Sequence, residues 1–210
     1  EFTILRNEDS SFYLVSAGAL ERFDHDYLIK NLPVDGSVRY DHLTNQTGVI
    51  VIAGPKARLL MESVSEANFS NEAFPWLSAK RIDVGLAECI AARINFVGEL
   101  GWEIHHPIEM QNHVFDLLIE RGKTFGLKPF GIRAMDALRL EKSYRLVGTE
   151  LSIEYSAHES GLNRFIYQNK GDFIGRDALA AWQQKGFHNA FVTMEVHATK
   201  DADAIGNNAI

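Results

Sequence analysis

Short stretches in which apolar and polar residues alternate recur along the chain and predict β-strands, because successive strand residues face opposite sides of a sheet. In residues 2–6 and 12–16, apolar residues alternate with polar ones or follow one another directly. A polar turn lies between the two stretches, so the pattern predicts a hairpin. Further strands are predicted over residues 38–43, 48–53, 81–84, 90–97 and 102–106, and residues 191–196 are predicted to begin a new sheet.

Other stretches carry apolar residues at steps of three and four, which is typical of amphipathic helices. The clearest helix covers residues 108–121, with Val114, Leu117 and Leu118 on one face. Strands in runs with helices between them indicate the α+β class rather than strict βαβ repetition. The remaining helices are predicted over residues 19–31, 54–64, 70–77, 130–143 and 177–185.

Composition excludes several function classes. The chain has 210 residues and a formal net charge of −7, which argues against a general nucleic-acid binder. It contains no run of about eighteen apolar residues, so no membrane span is expected. Cys89 is the only cysteine, which excludes an intrachain disulfide and favours a reducing, cytoplasmic location. Both ends are predicted to be cut, and the composition becomes strand-rich after Gly186, which predicts a domain boundary there.

The seven residues Gly98–Ile104 combine two glycines, two carboxylates and an aromatic ring. A glutamate on a strand beside glycines, as Glu103 is, can direct two oxygens into a pocket. Such a carboxylate suits a ligand with two adjacent N–H donors, for example the edge of a pterin or a guanine. The alternative interpretation is a surface turn with a solvated glutamate.

Two further segments, Gly131–Lys142 and Lys170–Leu179, follow in order. Together the three motifs resemble the glycine-cleavage T-protein (aminomethyltransferase) family, and most nearly the folate-binding part of dimethylglycine and sarcosine dehydrogenases. The resemblance implies a folate-binding domain of two interleaved α+β lobes over residues 1–186, without its N-terminal part. It also implies that residues 187–210 are the truncated beginning of a C-terminal β-barrel.

The resemblance implies that tetrahydrofolate accepts a one-carbon (aminomethyl or methylene) unit from an amine donor. The donor is expected to be a small molecule or a lipoyl carrier protein, and an FAD-dependent dehydrogenase domain is a possible partner. Two alternatives stay open, a non-catalytic folate-binding or assembly module and a folate-dependent sulfonium demethylase.

Four residues are expected to form the site. Glu103 matches the carboxylate that grips the pterin ring, and Tyr13 matches a tyrosine that lines the folate pocket, although it is equally typical of a core strand. Glu1 occupies the position of the family's catalytic aspartate, with the charge displaced by about 1.5 Å, or else is a terminal residue without a role. Arg133 is a candidate contact for the cofactor.

Besides Glu1, the chain departs from the family pattern at three positions. Met135 stands where T-proteins have an arginine that contacts the glutamate tail of folate. Arg133 lies about 200° around a helix from Met135, so it cannot simply replace that arginine. Phe96 and Val97 replace a Tyr-Thr pair, which predicts a drier pocket wall.

No metal site is predicted. His105 and His106 are adjacent on a predicted strand, so their side chains face opposite sides and cannot share an ion. The sequence also contains no phosphate loop and no dinucleotide-binding fingerprint.

Overall fold

The computed structural model describes residues 1–195 and residue 197. It divides into two compact units, Glu1–Tyr144 and Arg145–Ile210. The α+β class is confirmed, because both helices and antiparallel sheets are present. The interleaved lobes stay a prediction. The predicted domains 1–186 and 187–210, with the beginning of a β-barrel, also stay predictions, since most of the second range lies outside the described residues.

The strands of the first unit form a hairpin and a separate four-stranded antiparallel sheet. The hairpin pairs β1 (Thr3–Glu8) with β2 (Ser11–Val15), as the alternation predicts. The sheet has the order β3-β6-β5-β4, so β6 lies in its interior. Its strands are β3 (Thr47–Ala53), β4 (Ala79–Val84), β5 (Ala87–Ala92) and β6 (Gly101–Pro107).

Five α-helices occur in the described part of the chain, close to five of the six predicted positions. The helix predicted from residue 108 starts with a 3₁₀ turn, Ile108–Met110, before the α-helix proper. No helix among the described residues is both long and apolar enough to cross a lipid bilayer. The helices are α1 (Glu21–Lys30), α2 (Ala57–Val64), α3 (Gln111–Gly122), α4 (Ile132–Glu141) and, in the second unit, α5 (Arg176–Lys185).

Three predicted elements are wrong. Residues 70–77 form turns rather than a helix, since the Asn68 and Ser70 side chains accept hydrogen bonds from nearby backbone N–H groups. Residues 38–43 alternate between apolar and polar but pair with no strand in the described part of the chain. Residues 191–195 form no strand, and the Phe191 N–H instead donates to the Glu159 carbonyl at 2.9 Å.

The core of the first unit lies between one face of the four-stranded sheet and helices α2 and α3. Trp102 and Ile104 point into this core from β6, and neither is accessible to solvent. The ring of Trp102 packs edge-to-face against Phe69 and Phe74, with centroids 5.2 and 6.0 Å away. Because strand side chains alternate, Glu103 is carried on the opposite face of the sheet.

Gly101 permits the close approach of β6 to β3. A Cβ atom at this position would lie 2.1 Å from the carbonyl oxygen of Ile52 and 2.9 Å from the Cα of Ala53. Both neighbours are backbone atoms, so the strands would have to move apart to accept any side chain. Gly101 therefore maintains the pairing of the two strands directly beside Glu103.

Gly101→Ala is expected to lower the free energy of unfolding by about 1–3 kcal/mol, because the added methyl group collides with paired backbone. Urea unfolding followed by circular dichroism measures this change. Gly18→Ala is the matched control, since a Cβ atom there would meet nothing within 4 Å. Equal destabilisation by the two variants would show that crowding at Gly101 is not the cause.

The described part of the second unit is tied together mainly by polar contacts. Arg145 Nε donates to the Ser160 carbonyl at 2.9 Å, and its guanidinium lies 4.2 Å from the ring centroid of Phe191. The backbone N–H and the hydroxyl of Ser156 both donate to the Glu159 carboxylate at 2.9 Å. Both bonds lower the pKa of Glu159, and the bond from the backbone N–H has the larger effect.

Candidate functional site

Glu103 occupies the middle of β6, where it pairs with Val51 of β3 and Ala92 of β5. Its side chain is only 19% exposed. Two neighbouring strands and the core behind the sheet hold this part of the backbone, so the carboxylate is presented from a rigid element rather than from a surface turn.

A cavity of about 810 Å³, here called the first cavity, opens beside Glu103. Glu103 is the only carboxylate among the described residues that line it, and most of the other side chains are apolar. The volume falls in the range of pockets that hold drug-sized ligands. The lining consists of residues 50–57, Leu60, Phe96, Val97, Glu103, Phe115, Leu118, Ile119, residues 125–132 and Met135.

The Glu103 carboxylate accepts no hydrogen bond from the described residues. His105 Nε2 lies 3.3 Å from Oε2 of Glu103, but the contact lacks the alignment of a hydrogen bond. A largely buried carboxylate without donors is costly to desolvate, and a ligand with paired N–H groups would offset that cost. The site therefore has an acceptor pair in place for such a ligand.

His105 and Tyr13 extend from Glu103 in a continuous row, here called the acid–imidazole–phenol row. The Tyr13 hydroxyl donates to Nδ1 of His105 at 3.2 Å in the tautomer that carries its proton on Nε2, which faces Glu103. Burial is the main cause that raises the pKa of Tyr13. The hydrogen bond with Thr47 opposes this rise, and the negative charge of Glu103 adds to it. The phenol therefore stays protonated at neutral pH.

The place of His105 beside Glu103 was not predicted from the sequence, where a metal-ligand role was the only one weighed for it. The available signal was the two-residue spacing, because residues i and i+2 of a strand share a face. His105 is almost completely buried, and its ring packs edge-to-face against Tyr13 with centroids 5.4 Å apart.

Tyr13 lines a second cavity of about 580 Å³ rather than the first one. This second cavity lies between β2, α1, residues 38–44 and the beginning of β3. Tyr13 thus reaches Glu103 through His105 and not through a shared cavity wall. Its expected contact with folate stays a prediction.

Glu1 and Arg133 line neither cavity, although the next residue, Phe2, lines the second cavity and Ile132 lines the first. Glu1 is exposed and precedes β1, and it is not among the residues that line either cavity. Arg133 is exposed on α4, whereas Met135 of the same helix lines the first cavity. Neither residue shares a cavity lining with Glu103, and their expected roles stay predictions.

The other three positions that depart from the family pattern line the same cavity as Glu103. Phe96, Val97 and Met135 all line the first cavity, and Val97 is almost completely buried. Lys56 and Lys128 are the only cationic residues among the described residues of the lining. The cavity thus combines one buried acid, apolar walls and two exposed lysines.

His106 and Cys89, whose side chains can act as metal ligands or nucleophiles, are both buried. His106 faces the side of the sheet opposite His105, and its Nδ1 lies 2.9 Å from the Pro107 carbonyl. Burial raises the pKa of the Cys89 thiol to about 11, which makes it a poor nucleophile at neutral pH. In the described part of the chain, no group of three or more histidine, cysteine, aspartate or glutamate residues is placed to hold a metal ion.

Comparison with known proteins places these features in context. The family model described as the GCVT N-terminal domain matches residues 1–170. The mitochondrial dimethylglycine dehydrogenase of Homo sapiens is 33% identical over 212 residues, which cover 100% of this chain and 24% of that protein. An aminomethyltransferase from Thermoanaerobacter sp. (strain X514) is 30% identical over 93% of this chain and 53% of that protein. The chain thus spans about a quarter of the first relative and half of the second.

Among solved structures, a chain of the heterotetrameric sarcosine oxidase from Corynebacterium sp. U-96, in complex with pyrrole 2-carboxylate, superposes with a TM-score of 0.49. Its sequence is 18% identical, and the match covers 62% of this chain and 64% of that one.

Proposed function

Because the chain belongs to the GCVT N-terminal domain family, we propose that it binds tetrahydrofolate and supports transfer of a one-carbon unit from an amine donor to folate. Relatives named as aminomethyltransferases and dimethylglycine dehydrogenases support this reaction class. The observation that carries the proposal is the largely buried Glu103 carboxylate, which accepts no hydrogen bond from the described residues and lines the first cavity.

A pterin ring matches this arrangement. Its ring N–H and exocyclic amino group form an adjacent donor pair, which a carboxylate accepts in parallel. Each charge-assisted bond contributes about 1.5–3 kcal/mol, and together they determine the orientation of the ring. Phe96 and Val97 would lie along the ring and exclude water from it.

The tail of folate is anionic, and the first cavity offers it little positive charge. Lys56 and Lys128 are exposed and form no ion pair within the described part of the chain. Exposed ion pairs contribute at most about 1 kcal/mol. We expect these lysines to attract the tail without fixing its position, since Met135 replaces the arginine found in T-proteins.

In the proposed reaction, tetrahydrofolate supplies the N5 nitrogen that accepts the one-carbon unit. The chain itself supplies orientation and a preorganised charge. Glu103 positions the pterin. His105 and Tyr13 hold in place the face of the sheet from which the Glu103 side chain projects. Such positioning is a large part of the rate gain in transfers of this kind. The resemblance also assigns Glu1 an acidic contribution to the reacting centre.

A second candidate, a module that binds folate without catalysis, is favoured by one observation. Glu1 occupies the position of the family's catalytic aspartate, yet it is exposed and lies outside both cavities. On this alternative, Glu103 still binds the pterin but no residue of the chain supports the transfer.

Fluorescence titration with tetrahydrofolate, followed by an assay for methylenetetrahydrofolate with a one-carbon amine donor, tests the proposal. Saturable binding together with turnover is the expected result. Binding without turnover favours the non-catalytic module. Absence of binding contradicts both candidates.

Met135→Arg is expected to tighten binding of a polyglutamylated tetrahydrofolate by about tenfold, because a charge-assisted bond to the tail is worth about 1.5 kcal/mol or more. Fluorescence titration measures the dissociation constant. Ala134→Arg is the matched control, since Ala134 lies on the same helix outside the lining of the first cavity. If both variants tighten binding equally, the gain comes from net charge and Met135 is not beside the tail.

A further inference from the structure

The second cavity has a different character from the first, because acidic and aromatic side chains line it. Its α1 wall carries Glu21, Asp24, His25 and Leu28, and these residues recur at the three- and four-residue steps of one helix face. The opposite wall comes from residues 38–44, which include the predicted strand 38–43 that pairs with no described strand.

Acidic side chains outnumber arginine and lysine side chains in the lining of the second cavity. Among the described residues that line it, three carboxylates face a single arginine. Arg39 is already held by Asp41 through bonds of 2.9 and 2.7 Å to Oδ2. Glu21 Oε1 lies 3.0 Å from Nε2 of His42. Both of these carboxylates therefore have a partner within the protein.

Asp24 is the exception. It is only 7% exposed, and it forms no hydrogen bond or ion pair with any described residue. A buried carboxylate without a partner is costly, so such residues are normally paired in folded proteins. Since Asp24 lines the cavity, a cationic ligand is the partner that its position leaves room for.

Three aromatic rings form a compact wall near this acid. The ring centroids of His25 and His42 are 4.9 Å apart, and those of His25 and Tyr40 are 5.5 Å apart. The Tyr40 hydroxyl lies 3.2 Å from Nδ1 of His25, which fixes the two rings to each other. The face of the Tyr40 phenol attracts alkylated ammonium groups, and neutral imidazole rings provide contact for their carbon atoms.

We propose that the second cavity is a binding site for a small protonated amine, with the ammonium paired to Asp24 and its alkyl groups against the rings of His25, Tyr40 and His42. A metal ion is not the occupant that the residues favour, because no described group of three or more ligating side chains is placed to hold one. A volume of about 580 Å³ leaves ample space for a methylated amine.

Side chains link the second cavity to the first. Tyr13 lines the second cavity and contacts His105, which contacts Glu103 at the first cavity. Protein side chains therefore lie between the proposed amine site and the proposed pterin site. Binding of the amine in the second cavity does not rest on the proposed function.

Dimethylammonium is a suitable probe, and titration of the 210-residue chain by ¹H–¹⁵N NMR in the absence of folate reports its binding. Saturable shifts are expected for backbone amides of residues 21–28 and 38–44. Asp24→Asn is expected to weaken binding at least tenfold. 2-Propanol, which is neutral and of similar size, is expected to leave these amides unshifted.

Asp26→Asn is the matched control. Asp26 lies on the same helix, pairs with Lys30 at 2.7 Å and does not line the cavity, so its removal is expected to leave amine binding unchanged. Equal affinity in the wild type and Asp24→Asn overturns the proposal, as does absence of saturable shifts in the wild type. If Asp24→Asn does not fold, the chemical-shift changes of the wild type alone test the proposal. Shifts confined to regions other than residues 21–28 and 38–44 also overturn the amine site.

The titration separates this proposal from the proposed function, because it contains no folate. Amine binding without tetrahydrofolate binding supports the amine site and contradicts the proposed function. Tetrahydrofolate binding without amine binding overturns the amine site and leaves the proposed function standing.

Discussion

Glu103→Gln is expected to weaken tetrahydrofolate binding at least about 100-fold, a loss of about 3 kcal/mol. Glutamine has the shape of glutamate, but its amide presents an N–H group to one of the two pterin donors and carries no charge. The variant therefore loses one hydrogen bond, weakens the other and leaves a buried donor without an acceptor. The dissociation constant follows from fluorescence titration, with circular dichroism to verify folding.

Glu99→Gln is the matched control for this experiment. Glu99 belongs to the same seven-residue motif, but it is exposed, lies 3.5 Å from Lys142 Nζ and does not line the first cavity. Its replacement is expected to change the dissociation constant less than twofold. Comparable weakening in both variants would mean that the general negative charge of the motif, rather than the position of Glu103, governs binding.

Trp102→Ala is expected to lower the free energy of unfolding by about 3–5 kcal/mol, because a completely buried indole leaves a cavity that the core cannot fill. Phe69 and Phe74 lose their edge-to-face contacts in the same change. Guanidinium unfolding should show a lower midpoint with an unchanged slope. Trp102→Phe is expected to cost less, since it keeps most of the apolar contact and removes a buried N–H that has no acceptor among the described residues.

Trp76→Ala provides the comparison for the core variant. Trp76 is 64% exposed, so its replacement is expected to change stability by less than about 0.5 kcal/mol. If Trp76→Ala and Trp102→Ala destabilise the chain equally, the core between the sheet and helices α2 and α3 is not where the first unit gains its stability.

Local patterns in the sequence predict most elements of the first unit. The alternation across residues 102–106 predicts β6, and it also implies that Trp102 and Glu103 face opposite sides of the sheet. The same pattern over residues 38–43 is misleading, because a strand exists only where another strand pairs with it. Residues 70–77 fail for a local reason, since the Ser70 side chain and Pro75 favour a turn over a continuous helix.

The candidate site was predictable only in part. Glu103 follows from its motif, and the position of His105 beside it follows from strand periodicity. The approach of Tyr13 to His105 joins residues that are 92 positions apart, and only tertiary packing brings them together. The sequence also does not reveal that Asp24 lacks a partner among the described residues, because this depends on where α1 lies relative to the hairpin and residues 38–44.

A crystal structure of the chain with bound tetrahydrofolate tests most directly whether Glu103 holds the pterin. The pterin ring nitrogen and exocyclic amino nitrogen are each expected about 2.7–2.9 Å from a carboxylate oxygen of Glu103, with the ring inside the first cavity. A pterin bound elsewhere, or one whose donor edge faces water while Glu103 has no contact with it, would show that Glu103 does not hold the ring.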